Sequence, residues 1–357
     1  MIPASLLEYP TKPVLPETDG GFAFAAVGLA HGHIYAMCAN LIACGATLKY
    51  VYDDNAALIE AFTARFPQVK IARSYDEILL DKEIRLVASA DIPSFRASRG
   101  IAAMKAGKDF LADKAPFTTL EQLNEIKETI AETHRKYFVF YSERLASDVS
   151  EYANILIKRG VIGRVVNVIG FGPHKLANGE RRGDWFYKRD TQGGILIDIG
   201  SHQIEQFLTY TGAEDAVIDC ARIANFAHKE HPGFDDFGDC SLHAENGATG
   251  HFRVDWFTPL GVKPFGDGKT LIEGTKGFIE MRKYADLGIS DNTDNIIIAT
   301  DDGVEKKCVA GQIGLPYFPA LIRDCIERTE TAMTQEHALK ATELAIRAQM
   351  AAVDLER

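Results

Sequence analysis

The chain has 357 residues, 46% of them apolar and 25% charged, which is the composition of an ordinary globular protein and excludes a disordered or fibrous one. Length alone suggests roughly two domains, with enough chain for two buried cores. With 39 basic and 50 acidic residues the formal charge is -11, and no run of Lys/Arg interrupts it, so nucleic acid and anionic membranes are excluded as natural partners and a small molecule is expected.

In chain order, residues 1–21 carry Pro3, Pro10, Pro13 and Pro16 but neither a basic n-region nor an apolar h-region, and read as an extended arm. No apolar run is long enough to span a membrane, and the six cysteines contain no C-x-x-C pair. They are expected as buried thiols of a reducing compartment, and the protein as cytoplasmic. From Phe22 to Val27 runs an apolar strand ending at Gly28, followed by a helix over 33–44 that stops at Gly45. Leu48–Tyr52 is a second strand with Asp53 at its tip, and 56–66 a second helix. A weak strand near Ile71, helix 75–80, strand 85–90, helix 94–106 and strand 109–112 continue the alternation. Thr119 with Gln122 forms a capping box before a helix carrying Leu123, Ile126 and Ile130, and strand 137–141 closes the series. This grammar predicts a parallel, doubly wound sheet over residues 22–143, with ligands at the carboxyl ends of its strands.

Beyond Arg144 the pattern changes. A helix over 149–159 ends at Gly160, and strands at 165–169, 220–224, 250–257 and 296–300 follow with few helices between. The strict alternation in Phe252-Arg253-Val254-Asp255-Trp256 predicts an antiparallel sheet with one buried face, whose other face suits a second copy of the chain. Alanines at helical spacing predict a terminal helix over 334–353, so residues 144–357 read as a second α/β domain.

Three segments could carry chemistry. The loop Gly28-Leu29-Ala30-His31-Gly32-His33 lies between a strand and a helix, where backbone N–H groups and the helix dipole can receive a pyrophosphate. It is a degraded G-x-G-x-x-G, and a plain strand-to-helix turn is the alternative. Asp53, 25 residues after Gly28, is placed to accept the ribose hydroxyls of NAD and to repel the 2′-phosphate of NADP, unless it merely caps the next helix. NAD is therefore the expected cofactor and NADP the second choice. The pairs His31/His33 and His228/His231 lack a third ligand in sequence, and no metal is expected. In Gly193–His202, read as one helix, Asp198 and His202 stand four apart on a polar stripe and can meet, or the stripe is simply a wet face. Lys114, beyond a strand end, is either a ligand-edge cation or a solvated one.

These segments resemble the glucose-fructose oxidoreductase, inositol dehydrogenase and rhizopine-catabolism (Gfo/Idh/MocA) family from about Phe22 onward. The resemblance rests on Asp113-Lys114-Ala115-Pro116 for the acid-Lys-Pro motif and on Gly193–His202 for G-G-x-x-x-D-x-G-x-H. It implies a Rossmann domain, a second domain with a large, mostly antiparallel sheet, and hydride transfer between NAD or NADP and a carbinol carbon of a sugar or cyclitol. It places the catalytic lysine, aspartate and histidine on Lys114, Asp198 and His202. The cofactor would lie on Gly28, Ala30, His31, Gly32, His33, Asp53, Asp91, Pro93 and Lys114. Arg144, Trp185 and Tyr187 are candidate substrate contacts, and a homodimer or homotetramer is implied. The chain departs from the family at Ala115, where Pro is usual, and at Arg96, where His is expected. A non-catalytic NAD sensor of the same fold and a metal-dependent hydrolase are the competing classes.

Overall fold

A computed structural model describes residues 1–18, 21–176, 182–287 and 293–356. The first half follows the expected alternation: β1 (Ala23–Val27), α1 (His33–Ala43), β2 (Thr47–Tyr52), α2 (Ala56–Arg65), β3 (Lys70–Ile71), α3 (Tyr75–Leu80), β4 (Ile84–Ser89), α4 (Pro93–Lys105), β5 (Asp109–Asp113), α5 (Leu120–Thr133) and β6 (Tyr137–Phe140). The six strands are parallel in the order β3-β2-β1-β4-β5-β6. Strands β1, β4, β5 and β6 bury nearly every residue, as strands covered on both faces must. Order reverses between β1 and β4, and there the carboxyl ends open a crevice. The cap of α5 differs slightly from a reciprocal box: Thr119 accepts from the Gln122 amide, but Gln122 Oε1 reaches back to the Thr118 N–H at 2.8 Å.

The second half continues with α6 (Ser142–Leu145), α7 (Asp148–Lys158), β7 (Val165–Pro173), α8 (Arg189–Gln192), α9 (Ile195–Asp198), α10 (Gly200–Thr211), β8 (Ala216–Ala224), β9 (Phe237–Ala244), β10 (Thr249–Asp255), β11 (Lys269–Gly274), β12 (Gly277–Arg282), β13 (Asn295–Thr300), β14 (Gly303–Cys308), α11 (Tyr317–Glu327), α12 (Gln335–Ala351) and β15 (Val353–Asp354). Its nine strands order as β14-β13-β12-β11-β7-β10-β9-β8-β15, antiparallel except at β7/β10 and β8/β15. Helices α7, α10 and α12 pack on one face. Phe252 and Val254 of β10 point into that core while His251 and Arg253 point out, as their alternation requires.

The chain returns to the first sheet at its end. Tyr317 donates to the Val139 carbonyl at 2.8 Å, Gln335 accepts the Tyr137 N–H at 2.7 Å, and Arg328 pairs with Asp109. Thus α11 and the start of α12 brace the nucleotide half from behind. The N-terminal arm is held too, with Leu7 buried and its carbonyl accepting from Tyr152 Oη at 2.6 Å. Two cysteines depart from expectation: Cys220 and Cys308 are exposed, and the other four are buried. Among the described residues no helix is long and apolar enough to cross a membrane.

Candidate active site

Lys114 stands just past β5, at the ligand edge of the first sheet, and is 5% exposed. Its Nζ lies 2.5 Å from Asp198 Oδ1 and 3.3 Å from the Asp198 carbonyl. The other Asp198 oxygen accepts from Gln192 Nε2 at 2.9 Å, and Gln192 in turn accepts the Gly194 N–H. Gly194 has φ +102° and a Cβ there would overlap Gln349, so the turn admits only glycine. Burial by itself would raise the Asp198 carboxyl. The charge and hydrogen bond of Lys114, with His31 and Arg182 nearby, hold it instead far below the usual carboxylate range.

The two departures from the family motif meet at this lysine. The Lys114–Ala115 peptide is cis. Arg96, 1% exposed, donates from Nη1 to the carbonyls of Lys114 and Ala115 and from Nε to the Asp91 carbonyl at 2.6 Å. A guanidinium thus ties the lysine's backbone to the end of β4.

Asp198 and His202 do not pair as the single-helix reading expected. Ile199 alone separates α9, which ends on Asp198, from α10, which starts at Gly200, and it keeps helical dihedrals (φ -92°, ψ -37°); Asp198 bonds Lys114 rather than His202. Nor is the polar stripe a wet face, since Asp198, His202 and Glu205 are all buried. His202 is 2% exposed, and its Nδ1 is buried without a hydrogen-bond partner among the described residues. Burial pushes its pKa down to about 3; Glu143 opposes this, while Lys114, His33 and His174 add to it. The ring is therefore neutral near pH 7, with a lone pair free to take a proton.

Glu143, His174 and Lys283 surround this histidine and were not anticipated. Glu143 follows β6, so the strand-end rule that singled out Lys114 applies to it equally. Its Oε2 accepts from Gln203 Nε2 at 2.8 Å and from Lys283 Nζ at 3.4 Å. Its neighbour Arg144, expected at the substrate, is committed elsewhere: its Nη2 meets Glu205 Oε1 at 2.5 Å and its Nε also bonds that carboxylate. Glu205 further contacts His337, so this pair fastens α6 to α10 and α12.

Across the crevice, Gly28 (φ +73°) leaves β1 directly against Asp91, whose Cβ would lie 2.4 Å from any Cβ at position 28. The loop's Ala30, His31 and His33 are half-buried and Gly32 is exposed. The first N–H groups of α1 are held within the loop itself, His33 N–H by His31 Nδ1 at 3.5 Å, and Ile34 and Tyr35 N–H by the His31 and Gly32 carbonyls at 3.3 Å, while the positive end of the helix dipole faces the crevice. Pro93 begins α4 beside Asp91, and Arg99 Nε bonds Asp91 Oδ2 at 3.0 Å. Asp53 is not the cap of α2, because Asn55 is; its Oδ2 accepts the Leu29 N–H at 2.6 Å and braces the loop. A glycine turn leading into a helix start, with a carboxylate at the next strand end, fits a dinucleotide.

Asp113 supplies the third member that the His31/His33 pair lacked in sequence. His31 Nδ1 lies 2.9 Å from its Oδ2 and His33 Nδ1 2.8 Å from its Oδ1, and the three ligand atoms fall within 4.8 Å of one another. The neighbouring cations Arg96, 3.3 Å from Oδ2, and Lys114 disfavour a metal ion there. The second pair is structural: His228 Nδ1 meets buried Asp236 at 2.9 Å, and His231 stacks on Tyr187 with centroids 3.8 Å apart. Tyr187 lines a surface pocket of about 640 Å³ with Asp184, Lys188 and Glu230. Trp185 packs edge-on against Phe186, and it is Phe186 that turns inward to Trp256 and Arg182.

Comparison with known proteins bears on the family and the fold. Residues 22–141 match the profile of an oxidoreductase family with an NAD-binding Rossmann fold, and residues 151–280 match the GFO/IDH/MocA C-terminal domain. A crystal structure from Erwinia carotovora atroseptica bearing an oxidoreductase name is 46% identical, with TM-score 0.91, over 94% of this chain and 99% of that one. Levoglucosan dehydrogenase, solved with NADH and levoglucosan, shares the fold at TM-score 0.77 and 17% identity over 92% of this chain and 96% of that one. An uncharacterized oxidoreductase of Schizosaccharomyces pombe is 31% identical over 159 residues, 43% of this chain and 41% of the relative, so the match spans less than half of that protein. Across both halves, the chain belongs to the GFO/IDH/MocA family of oxidoreductases.

Proposed function

We propose that the protein is an NAD(P)-dependent dehydrogenase acting on a secondary alcohol, or the matching ketone, of a sugar, cyclitol or related polyol. The observation that carries this reading is the convergence of Lys114 from the nucleotide half with Asp198 from the other half, 2.5 Å apart in a buried crevice that also holds His202. The resemblance to a sugar dehydrogenase that binds NADH supports the substrate class.

The bound nicotinamide would accept or return the hydride. The chain's residues supply the rest. Lys114 donates a hydrogen bond to the carbinol oxygen, and its charge stabilises the negative charge that develops there. Asp198 and Gln192 fix the ammonium in place. Neutral His202 takes the hydroxyl proton; because its basicity is held low, proton transfer relies on the acidification that Lys114 provides. Gly28 to His33, Asp53, Asp91 and Pro93 would seat the dinucleotide, with Asp53 favouring NAD over NADP. The open face of the second sheet, where Phe171, Phe278 and Val304 are exposed, would be covered by a second copy in a homodimer or homotetramer.

The test is absorbance at the reduced-nicotinamide band with NAD or NADP against cyclitols, aldoses and sugar acids. Turnover of at least one polyol is expected. Full binding of cofactor with no turnover of any of them would leave a sensor in place of an enzyme.

A further inference from the structure

The proposed reaction employs Lys114, Asp198 and His202 but gives no task to Glu143 and His174, which line the same basin. Glu143 is 3% exposed, and its Oε1 is buried without a hydrogen-bond partner among the described residues while Oε2 is supplied by Gln203, Gln206 and Lys283. His174, just past β7, has its Nδ1 3.0 Å from the Gly172 carbonyl. A carbonyl only accepts, so Nδ1 carries the hydrogen and the neutral ring turns a bare Nε2 toward Glu143 Oε1, 3.6 Å away. Burial favours that neutral ring, lowering its pKa from the ordinary value. A buried carboxylate oxygen and the bare nitrogen of a ring that is 12% exposed therefore face each other with no hydrogen between them. Leaving such groups unmet costs about 1–3 kcal/mol each, so the place calls for a ligand that brings donors.

The acceptors adjoin the reaction centre. Gln203 and Gln206, which hold Glu143, flank His202 on α10, and Gln206 also bonds the His202 carbonyl at 3.0 Å. Trp256 lies edge-on to the His174 ring and has its own Nε1 buried without a partner. Two adjacent hydroxyls of one substrate can donate one hydrogen to Glu143 Oε1 and one to His174 Nε2. A carboxylate in that position would bring a second anion against Glu143 in a dry site.

We propose that Glu143 and His174 form a hydroxyl-reading subsite that selects a polyol with adjacent hydroxyls beside the reacting carbinol and rejects a sugar acid whose carboxylate falls there. This rests on the dehydrogenase reading and names its substrate class. Sites built to bond a hydroxyl discriminate strongly against analogues that lack it.

The experiment compares kcat/KM of the wild type for a panel polyol and each of its single-deoxy analogues, then repeats the series in Glu143→Gln and His174→Phe. One deoxy analogue is expected to fall 10²-fold or more below its parent in the wild type, and this ratio should shrink to about tenfold or less in both variants. His174→Phe leaves the Glu143–Lys283 pair intact, so the test survives if Glu143→Gln folds poorly. Ligand-observed NMR on the NADH-loaded protein should show the parent polyol bound by the wild type and weakened in the variants. Equal turnover of every deoxy analogue by the wild type would mean that a water satisfies both acceptors, and the subsite would fall while the dehydrogenase stood. Unchanged ratios in both variants would overturn it equally. No turnover and no binding of any polyol, with NAD still bound, would remove both readings together.

Discussion

The two walls of the crevice are built on opposite principles. On the nucleotide wall polar groups are tied down: Arg96 holds the carbonyls around Lys114, Asp113 engages His31 and His33, and Asp53 holds the loop through Leu29. On the facing wall Glu143 Oε1, His202 Nδ1, Trp256 Nε1 and Thr258 Oγ1 are buried with no hydrogen-bond partner among the described residues, whereas on the nucleotide wall this holds only of Ser94 Oγ and of Asp113 Oδ2, which still has ion-pair contacts to His31 and Arg96. Buried polar atoms are nearly always satisfied in a folded protein, so the larger cluster of exceptions, on the facing wall, marks where a ligand completes the structure. The first wall holds and charges; the second waits for donors and protons.

The contrast breaks most sharply at His202. Replacing it with Ala should lower kcat by 10²- to 10⁴-fold, the usual loss for a general base. NAD affinity should stay within a few fold, because the cofactor loop belongs to the other wall. Unchanged kcat would remove His202 from the mechanism, and lost NAD binding would mean the walls are not independent.

Lys114→Met tests the other side. Losing a preformed donor at a developing oxyanion costs about 10²- to 10³-fold in kcat. It should also cost about 3–5 kcal/mol of stability, since Asp198 is left as a buried carboxylate without its partner. The double variant Lys114→Met/Asp198→Asn should recover much of that stability in urea unfolding while remaining inactive. Recovery of activity as well would make the ion pair architectural rather than chemical.

Much of this was legible in the sequence, and the failures share a cause. The alternation of strands and helices from Phe22 to Phe140 is a local signal, and its boundaries appear within a residue or two. Lys114, Asp198 and His202 were legible because two motifs carry them. What sequence could not supply was partnership across the fold. Asp198 and His202 stand four apart, yet the aspartate pairs with a lysine 84 residues away. Asp113 joins the two loop histidines, with His33 80 residues upstream of it. Arg144 is a candidate substrate contact from its place at the entry to the second domain, but only the fold reveals that Glu205 already holds the arginine. Burial also reversed the reading of α10, whose polar residues looked solvated by period alone.

A broader measure of the same contrast is pH. His202 and His31 both have pKa values pushed down to about 3, burial being the largest cause, against ~6.5 in the unfolded chain. Between these values the unfolded chain binds more protons, so stability rises with pH. It is fully present above ~6.5 and is lost as pH falls toward 3, at up to about 1 kcal/mol per pH unit for each group. Glu143 and Glu205, lowered to about 2 against an ordinary ~4.3, add their own loss only below that ordinary value. Urea unfolding between pH 5 and 7 should show this slope, opposed by Glu151, Asp235 and Asp53, whose carboxyls burial pushes up, and His202→Gln should flatten it. An identical slope in that variant would mean that His202 titrates freely.

The smallest expected effect belongs to Asp53, where holding and selecting coincide. Its Oδ2 braces Leu29 and its Oδ1 the Asn55 N–H, so the carboxylate is oriented before any ribose arrives. Arg99 stands close by, 3.4 Å from Asp54 and 3.0 Å from Asp91, as a cation that could meet a 2′-phosphate once the opposing charge is gone. Asp53→Ser should shift the NAD-to-NADP ratio of kcat/KM by about tenfold toward NADP, equivalent to ~1.4 kcal/mol. Adding Arg99→Ala should abolish the gain for NADP without restoring NAD. If Asp53→Ser instead lowers both coenzymes alike, the aspartate only braces the loop, and discrimination lies elsewhere in the crevice.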